Sequence, residues 1–524
     1  MKIFIFPLLA WVMAQAPLDA QLAAITNQPA SRALWAGGNV TFAVGVSNAG
    51  AFSCQWQFNS TNLPNGIITT VAGNGSLAYS GDGVSAINTG VGATAVAVDP
   101  AGNLFIGDSV NYRVYLVNTN GILTTFAGNG SDGFAGYGGP ATNASVISPD
   151  GLALDATRNL FIADSARSLI LKVDTNGVLT IVAGHGSEPT GASPGDGGPA
   201  TNAYLNFPYG VAVDAAGNVF VADQRNNRIR KVDTNGIITT VADSLGVSGF
   251  SGDGGAAANA SFSALADVVV DVAGNLFIAD SDNNRIRKVS TNGNITTFAG
   301  SGSTGFPPPK YGGDGGPATN AGLAIPFGVA VDAAGDVLIA DQGNNRIRKV
   351  DTNGIITTVA GNGAHVYSGD GGIATNASLQ LPTRAVMDAF GNLFIVDQAN
   401  NRVRKVTNTQ GPTLALNNVT VTNAGTYQLV VTGSGGSVTS SVVNLIVATA
   451  PIIYQTTRNP DGSVALNFVS QPGSTNQVLC ATNLLPPINW QTLSTNLAGP
   501  DGNWQFTDTN AASYGMRFYR SLEQ

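Results

Sequence analysis

The repeated stretch that decides the fold is Gly210–Ala242, GVAVDAAGNVFVADQRNNRIRKVDTNGIITTVA. It contains four β-branched runs separated by Gly-Asn, Gln-Arg-Asn-Asn and Asn-Gly turns, a pattern typical of an antiparallel four-stranded meander. The aspartate that closes the first run recurs at intervals of 56 to 61 residues. Its six copies are Asp99, Asp155, Asp214, Asp271, Asp332 and Asp388. A four-stranded unit repeated at this period predicts an all-β fold with a six-bladed β-propeller.

The order of the repeated phrases predicts how the ring closes. The fourth-strand phrase first occurs at Gly66, before any inner strand, whereas the last inner unit, 385–406, has no fourth strand after it. We therefore expect Ile67–Ala72 to pair with Arg402–Val406 in the last blade. Such closure removes exposed strand edges and brings the two ends of the propeller close together.

Composition and charge exclude several classes of protein. The chain has 524 residues, of which 66 are glycine and 11% are charged, with a formal net charge of −8. Normal apolar content with many turn residues indicates a folded β protein of more than one domain. An acidic chain without a basic cluster argues against nucleic acid or an anionic membrane as partner.

The N-terminal stretch predicts export. Residues 1–20 combine a single Lys2, a short apolar run and small residues before position 21, which predicts a secretory signal peptide cleaved after Ala20. A retained membrane anchor is the alternative, although no later run is apolar enough to span a bilayer. We expect a secreted or cell-surface protein. The two cysteines, Cys54 and Cys480, fall in different predicted domains, which predicts buried free thiols.

The segments on either side of the propeller resemble two halves of one domain. ITNQP, AGGNVTFAV and CQWQFN resemble the first half of a bacterial immunoglobulin-like repeat, with Trp56 at the place of its core tryptophan. The later strands of such a repeat stand in residues 413–447, where NAGTY resembles a tyrosine corner at Tyr427. We therefore expect an immunoglobulin-like sandwich of residues 21–65 and 411–448, split by a propeller at 66–410.

The remaining C-terminal residues form a third predicted module. Residues 449–524 contain VALNF, NQVLCATNL, NWQTL and a final RFYR. These strands resemble fibronectin type III-like modules of bacterial exported proteins, which implies a second β-sandwich.

The blade pattern of residues 66–406 resembles the NHL-repeat family. The resemblance implies a six-bladed propeller that binds on one face. Most members bind a protein or another ligand, and a minority, such as the peptidylglycine amidating lyases, are metal-dependent enzymes that use mainly histidines. This chain has two histidines, His185 and His365, in loops predicted to lie nearly opposite each other.

A second aspartate follows each second strand, and in five blades an arginine follows it five residues later. One interpretation is a charged rim for a ligand. The other is a structural Asp–Arg bond between the second and third strands, which repetition in most blades favours. The pairs are Asp108–Arg113, Asp223–Arg228, Asp280–Arg285, Asp341–Arg346 and Asp397–Arg402, with Leu169 interrupting the set in blade two.

The long loops from each fourth strand to the next first strand carry the other candidate residues. We call the side of the propeller with these loops and the Asn-Asn-Arg connections the long-loop face. One aspartate per loop predicts a local turn, with calcium binding as a weak alternative, at Asp196, Asp253, Asp314 and Asp370. Loop aromatics predict either ligand contacts or covers over the blades, at Tyr79, Phe134, Tyr137, Phe250, Phe306, Tyr311 and Tyr367.

The sequence favours a secreted, non-catalytic binding scaffold that recognises protein or glycan through the long-loop face. No cofactor is expected, apart from the calcium alternative. Two other functions remain open: a lyase or lactonase that uses carboxylate-held calcium in the channel, and a structural spacer without a ligand.

Overall fold

The computed structural model describes residues 23–47, 52–63, 65–186, 195–243, 246–302, 311–416, 419–433 and 436–523. The predicted signal peptide lies outside the described residues. The chain divides into two compact units, one of Met1–Ala36, Val40–Leu63 and Thr409–Gln524, the other of Gly37–Asn39 and Pro64–Asn408. Within the described part, no helix is both long and apolar enough to cross a membrane.

The second unit is a ring of six four-stranded antiparallel blades, which confirms the propeller predicted from the repeats. Its strands, in blade order, are Ala93–Val98, Leu104–Asp108, Arg113–Val117 and Ile122–Ala127; Pro149–Leu154, Leu160–Asp164, Leu169–Val173 and Val178–Ala183; Pro208–Val213, Val219–Asp223, Arg228–Val232 and Ile238–Ala242; Leu265–Val270, Leu276–Asp280, Arg285–Val289 and Ile295–Ala299; Pro326–Val331, Val337–Asp341, Arg346–Val350 and Ile356–Ala360; Pro382–Met387, Leu393–Asp397, Arg402–Thr407 and Ile67–Ala72. Short strands Val84–Ser85 and Gly139–Pro140 extend blades one and two.

Blade six contains the predicted closure. Ile67–Ala72 pairs antiparallel with Arg402–Thr407, in the register Ile68 with Val406 and Thr70 with Arg404. The fourth strand of the last blade therefore comes from the start of the propeller sequence, and no blade in the ring is left with three strands.

The first strands form the inner wall of the ring, because each lies beside the first strands of both neighbouring blades. Every residue of each second strand is buried, since blades cover both of its faces. This explains why these strands are continuously apolar instead of alternating. Three-residue 3₁₀ helices follow the second strands at Ser165–Arg167, Gln224–Asn226, Ser281–Asn283, Gln342–Asn344 and Gln398–Asn400, and lie in the long loops at Ala86–Asn88, Ala141–Asn143, Ala200–Asn202, Ala257–Asn259, Ala318–Asn320 and Ala374–Asn376.

The first unit contains a sandwich built from both sides of the propeller sequence. Strand Phe52–Phe58 pairs with Gly425–Gly433, and Arg32–Trp35 pairs in parallel with Val443–Ala448. Val40–Ala43 pairs with Thr413–Leu416. Shorter strands are Ala24–Asn27, Gly45–Ser47, Thr61–Asn62 and Gly436–Thr439, with a 3₁₀ helix at Val421–Asn423.

Trp56 and Tyr427 share the core of this sandwich, as predicted. Trp56 is completely buried, and its indole N–H donates to the Gly411 carbonyl at 3.0 Å. The Tyr427 hydroxyl donates to the Asn423 carbonyl at 2.7 Å, which is the hydrogen bond of a tyrosine corner. Burial raises the pKa of Tyr427 to about 12.

The C-terminal residues form two three-stranded sheets. One contains Ile452–Arg458, Val464–Val469 and Asn503–Asp508, and the other contains Thr475–Ala481, Gln491–Leu497 and Phe518–Glu523, with a 3₁₀ helix at Ala511–Ser513. Phe468 and Trp504 stack in its core with ring centroids 3.9 Å apart. Cys54 and Cys480 are both free and buried, as expected.

Candidate binding face and channel mouth

The Asn-Asn-Arg connections of blades four and five each bond to the start of the following blade's first strand. In blade five, Asn344 donates to Asp341 at 2.9 Å and so closes the turn after the second strand. Asn345 adopts a left-handed conformation, with φ of 53°, which asparagine tolerates better than most residues. Its side-chain oxygen accepts a hydrogen bond from the Leu381 amide of blade six at 2.9 Å. The two asparagines therefore serve the fold, and they fix the start of the following inner strand.

The arginine that pairs with each of these aspartates lies two residues later in the sequence than predicted. The aspartates Asp223, Asp280, Asp341 and Asp397 bind the arginine seven residues later, and not Arg228, Arg285, Arg346 or Arg402. The ion pairs, from blade three to blade six, are Asp223–Arg230 at 3.3 Å, Asp280–Arg287 at 3.3 Å, Asp341–Arg348 at 3.2 Å and Asp397–Arg404 at 3.1 Å.

Burial is the physical reason why the aspartates pair with the later arginine. All eight side chains of these four pairs are fully buried, and a buried guanidinium needs a carboxylate close by. The arginine at the start of the third strand lies nearer the surface, where main-chain carbonyls can accept its hydrogen bonds. Asp108 has no such partner, because Tyr115 stands at the later position in blade one; Gly92, Val110 and Asn111 donate to it instead.

The long-loop aspartates, which are the weak calcium candidates, contact the same buried arginines. Each of the four carboxylates forms the second ion pair of a buried arginine, at 2.5 to 2.7 Å. These pairs are Asp196–Arg230, Asp253–Arg287, Asp314–Arg348 and Asp370–Arg404. Burial raises the pKa of Asp314, but hydrogen bonds from Tyr311 and Thr358 and the charge of Arg348 outweigh it and lower the pKa below its usual value. Across the described ranges, no three His, Cys, Asp or Glu residues are grouped to hold a metal.

The arginines five residues after the aspartate support the loop aromatics. In blade five, the Arg346 guanidinium carbon lies 3.6 Å from the Tyr311 ring centroid, while Nη1 donates to the Asn344 carbonyl. The equivalent distances are 3.8 Å for Arg285 and Phe250, 3.8 Å for Arg402 and Tyr367, and 4.9 Å for Arg113 and Tyr79. Each ring thus has one face against a cation.

Several of these rings remain accessible. The exposed fractions are 53% for Phe134, 41% for Phe250, 39% for Tyr311 and 36% for Tyr367. Tyr79 and Tyr137 are half-buried, so they resemble covers over the blades more than contacts. The hydroxyls of Tyr311 and Tyr367 bond to Asp314 and Asp370 at 2.6 and 2.7 Å, which fixes both rings. Phe306 lies outside the described residues.

Arg384 of blade six lies across the channel on the axis of the ring. Its guanidinium donates to the carbonyls of Asp150 at 3.1 Å, Tyr209 at 3.2 Å, Ala266 at 3.3 Å and Phe327 at 3.3 Å. It also forms an ion pair with Asp267 at 3.2 Å. One side chain therefore joins the inner strands of blades two to six.

Glycines in neighbouring blades make room for this pair. Asp267 and Arg384 occupy the position where blades two, three and five have glycine. A Cβ at Gly210 would lie 2.5 Å from the Asp267 carboxylate, and one at Gly328 would lie 2.3 Å from the Thr383 carbonyl. Sequence analysis missed the pair, although two charged residues that replace a repeated small residue were visible in the repeats.

The channel mouth is the set of residues that precede this position in the six first strands. They are Thr94, Asp150, Tyr209, Ala266, Phe327 and Thr383. The Ser165 hydroxyl donates to the Asp150 carboxylate. Burial raises the pKa of Asp150 to about 6, against the Ser165 hydrogen bond and the charge of Arg384.

The two histidines lie apart, each with its own neighbour. His365 Nδ1 is 3.1 Å from the Asn345 side-chain nitrogen in blade five, and the His185 ring is 5.7 Å from the Tyr204 ring. They do not converge on a common site.

Comparison with known proteins relates the repeats to a family. The sequence profile of the Teneurin NHL domain matches residues 189–249 and 291–368. Teneurin-1 of Gallus gallus is 28% identical over 483 residues, which cover 82% of this chain and 17% of that protein. The chloroplastic protein SUPPRESSOR OF QUENCHING 1 of Arabidopsis thaliana is 26% identical over 320 residues, which cover 57% of this chain and 29% of that protein. The chain thus spans a minor part of these relatives.

A solved structure of unknown function from Bacteroides thetaiotaomicron aligns with a TM-score of 0.49 and 14% identity, over 76% of this chain and 98% of that one. A streptogramin B lyase aligns with a TM-score of 0.37 and 13% identity, over 79% and 94%.

The six closed blades define the fold of the second unit as a six-bladed β-propeller. Part of this propeller is similar to the Teneurin NHL domain.

Proposed function

We propose that this chain is a binding protein whose NHL-repeat propeller engages a partner protein through the long-loop face. The observation that carries the proposal is the row of exposed aromatic rings, each fixed on an arginine. Phe250, Tyr311 and Tyr367 occupy the same loop position before blades four, five and six, so they form an arc of successive blades.

Fixed aromatic rings suit binding for a thermodynamic reason. A side chain that is already held loses little conformational entropy when a partner covers it. Tyr311 combines 39% exposure with a stacked guanidinium on one face and a hydrogen-bonded hydroxyl. Tyrosine and arginine are also enriched at the centres of protein interfaces. The resemblance to NHL repeats, most of which bind a protein or another ligand, supports the same role.

The rest of the chain fits a displayed binding module. We propose export by residues 1–20, with cleavage after Ala20, and a secreted or cell-surface location. We also propose that the sandwich built from both sides of the propeller sequence is immunoglobulin-like and that residues 449–524 are fibronectin type III-like. Both modules would then carry the propeller outside the cell.

The enzymatic alternative has weaker support from the geometry. It requires several carboxylates that converge on the channel axis. Asp150 and Asp267 approach the axis, but the Arg384 guanidinium already occupies the place between the inner strands and pairs with Asp267 at 3.2 Å. That pair leaves Asp150 as the one carboxylate of the described inner strands without an ion pair, whereas a calcium ion needs several oxygen ligands.

Screening of a protein and glycan array with the secreted chain tests the proposal. Binding to a protein target should fall at least about tenfold in Tyr311→Ala and Tyr367→Ala, because each removes a central aromatic contact. The phenylalanine variants at both positions should retain most binding, since the ring remains. Tyr514→Ala is the matched control, because Tyr514 is 44% exposed and lies on Arg517 in the other unit. Unchanged binding in both alanine variants would reject this face. If only glycans on the array bind the chain, the partner is a glycan and not a protein.

A further inference from the structure

We propose that the channel mouth binds an organic cation, the ammonium or guanidinium group of a basic side chain on the partner polypeptide, against the Asp150 carboxylate. This inference rests on the proposed function and names one contact within it.

The charges around the axis do not balance. Arg384 pairs with Asp267 at 3.2 Å, and no arginine or lysine of the described residues forms an ion pair with Asp150. Asp150 is 7% exposed, and Ser165 donates a hydrogen bond to one of its oxygens. A buried carboxylate that lacks a cation is unfavourable unless a partner supplies one.

Blade two increases this imbalance. Its second-strand aspartate, Asp164, is fully buried, and Leu171 stands where blades three to six have the buried arginine. The amides of Ile147 and Ser148 donate to Asp164 at 3.0 Å. Asp150 and Asp164 thus place two carboxylates on one side of the mouth; the charge of Arg167 acts on Asp164, and that of Arg384 acts on Asp150.

Aromatic and apolar side chains complete the site. The half-buried rings of Tyr209 and Phe327 meet edge to face, with centroids 5.5 Å apart, at the same level of the inner strands as Asp150. The faces of such rings attract cations. Ile325 and Leu381, which directly precede two of the inner strands, are 43% and 42% exposed. They can cover the aliphatic part of a lysine or arginine side chain, whose stem packs on apolar surface while its charge is bound.

An anionic ligand fits this arrangement poorly. The only cation that reaches the axis from the described inner strands is Arg384, and it already donates to carbonyls of four blades and to Asp267. A cation, in contrast, meets a carboxylate and the Tyr209 ring, because the Arg384 guanidinium already lies over the Phe327 ring, 5.5 Å from its centroid.

Binding should strengthen as the pH rises from 5 to 7.5, because Asp150 must lose its proton to attract the cation. The groups that face it are Asp164, Arg384 and Tyr209, together with the hydroxyls of Ser165 and Thr94. Burial and Asp164 favour the protonated form, whereas Arg384 and Ser165 favour the carboxylate. A pKa of about 6 predicts about tenfold weaker binding at pH 5 than at pH 7.5, the ratio of the ionised fractions.

The experiment uses the full chain and ligand-observed NMR titrations. The probes are the N-acetyl amides of lysine and arginine, an N-acetylated and C-amidated Gly-Arg-Gly peptide, and the N-acetyl amides of the neutral analogues norleucine and citrulline. We expect the cationic probes to bind, the neutral ones to bind at least about tenfold more weakly, and Asp150→Asn to abolish this preference. Tighter binding of the peptide than of the free amides indicates a polypeptide partner, and the reverse indicates a small amine.

Two controls keep the result interpretable. Asp332→Asn, in a turn on the opposite side of the propeller, should leave binding unchanged. Tyr209→Leu should weaken the cationic probes without altering charge at the mouth. Equal binding of citrulline and arginine, or of wild type and Asp150→Asn, overturns the inference. If a partner found by array screening depends on Tyr311 and Tyr367 but is insensitive to Asp150→Asn, the proposed function stands and this inference fails.

Discussion

Replacing Arg384 with methionine should strongly destabilise the propeller. Methionine has a similar length without the charge or the donors. The change leaves Asp267 buried without its cation and removes the donor from carbonyls of four blades. Removal of one partner of a buried ion pair costs about 3 to 5 kcal/mol. That loss is a large share of the total stability of about 5 to 15 kcal/mol that is usual for a domain.

The side chains are 7% and 9% exposed, so solvent relieves little of this penalty. Water that enters the channel can satisfy some of the four carbonyls. The free energies of the four lost hydrogen bonds are therefore not added to the loss of about 3 to 5 kcal/mol expected from the ion pair.

Calorimetry is the appropriate assay, because the two compact units can unfold in separate transitions. We expect the propeller transition alone to move to a lower temperature. The double variant Arg384→Met/Asp267→Asn should recover part of the loss, since no uncompensated carboxylate remains. A loss below about 1 kcal/mol in the single variant, or no recovery in the double variant, would refute our assignment of Arg384 as the central cation of the ring.

Three further outcomes are expected. Arg348→Met should destabilise the propeller by about 3 to 5 kcal/mol and Arg346→Met by about 1 kcal/mol, measured by thermal unfolding; the opposite order would restore the simpler five-residue pairing. The pKa of Asp150 is about 6 in the folded protein and about 4 in the unfolded chain. The protonated carboxyl therefore stabilises the fold fully in acid, and about 3 kcal/mol of stability is lost as the pH rises through 6. Unfolding midpoints from pH 4.5 to 7.5 should show this decline, and Asp150→Asn should lack it; parallel curves would contradict the assignment. Tyr427→Phe should cost the sandwich about 1 kcal/mol through the lost bond to Asn423, and an unchanged first-unit transition would show that this bond is not stabilising.

The blades were predictable because their signal is repeated six times. Each copy contains the same turns and apolar runs, so errors in one copy do not change the reading of Gly210–Ala242. The closure by Ile67–Ala72 was predictable for a related reason. A count of the strand phrases left a fourth strand without a blade at the start and a blade without its fourth strand at the end.

The partners of the charged residues were harder to predict. Arg228 and Arg230 are two positions apart on one strand, and residues at that spacing point to the same face. Spacing therefore allowed either arginine to bind Asp223. Arg230 binds it because Arg230 is the more deeply buried of the two. A usable signal existed in blade two, where Tyr137 and Leu171 replace the loop aspartate and the buried arginine together.

The channel was not predictable from the repeat pattern, because its decisive residues are the exceptions to it. Asp267 and Arg384 each occur once, so a consensus of the blades hides them. Their contact also joins positions 117 residues apart in the sequence (384 − 267), and no local pattern reports such a pairing.

Closure of the ring by the early strand positions both the binding face and the channel mouth, and a disulfide tests it most directly. The Ile68 amide and carbonyl both bond to the loop at Gly371 and Gly372, so Ile68 and its partner Val406 form a pair without mutual hydrogen bonds. Cα atoms of such a pair are about 4.5 Å apart, within reach of a disulfide. In the Ile68→Cys/Val406→Cys variant, oxidation of the folded protein should link the two residues in nearly every molecule, as shown by peptide mapping. If the link fails to form while Cys54 and Cys480 stay protected, the early strand does not close blade six.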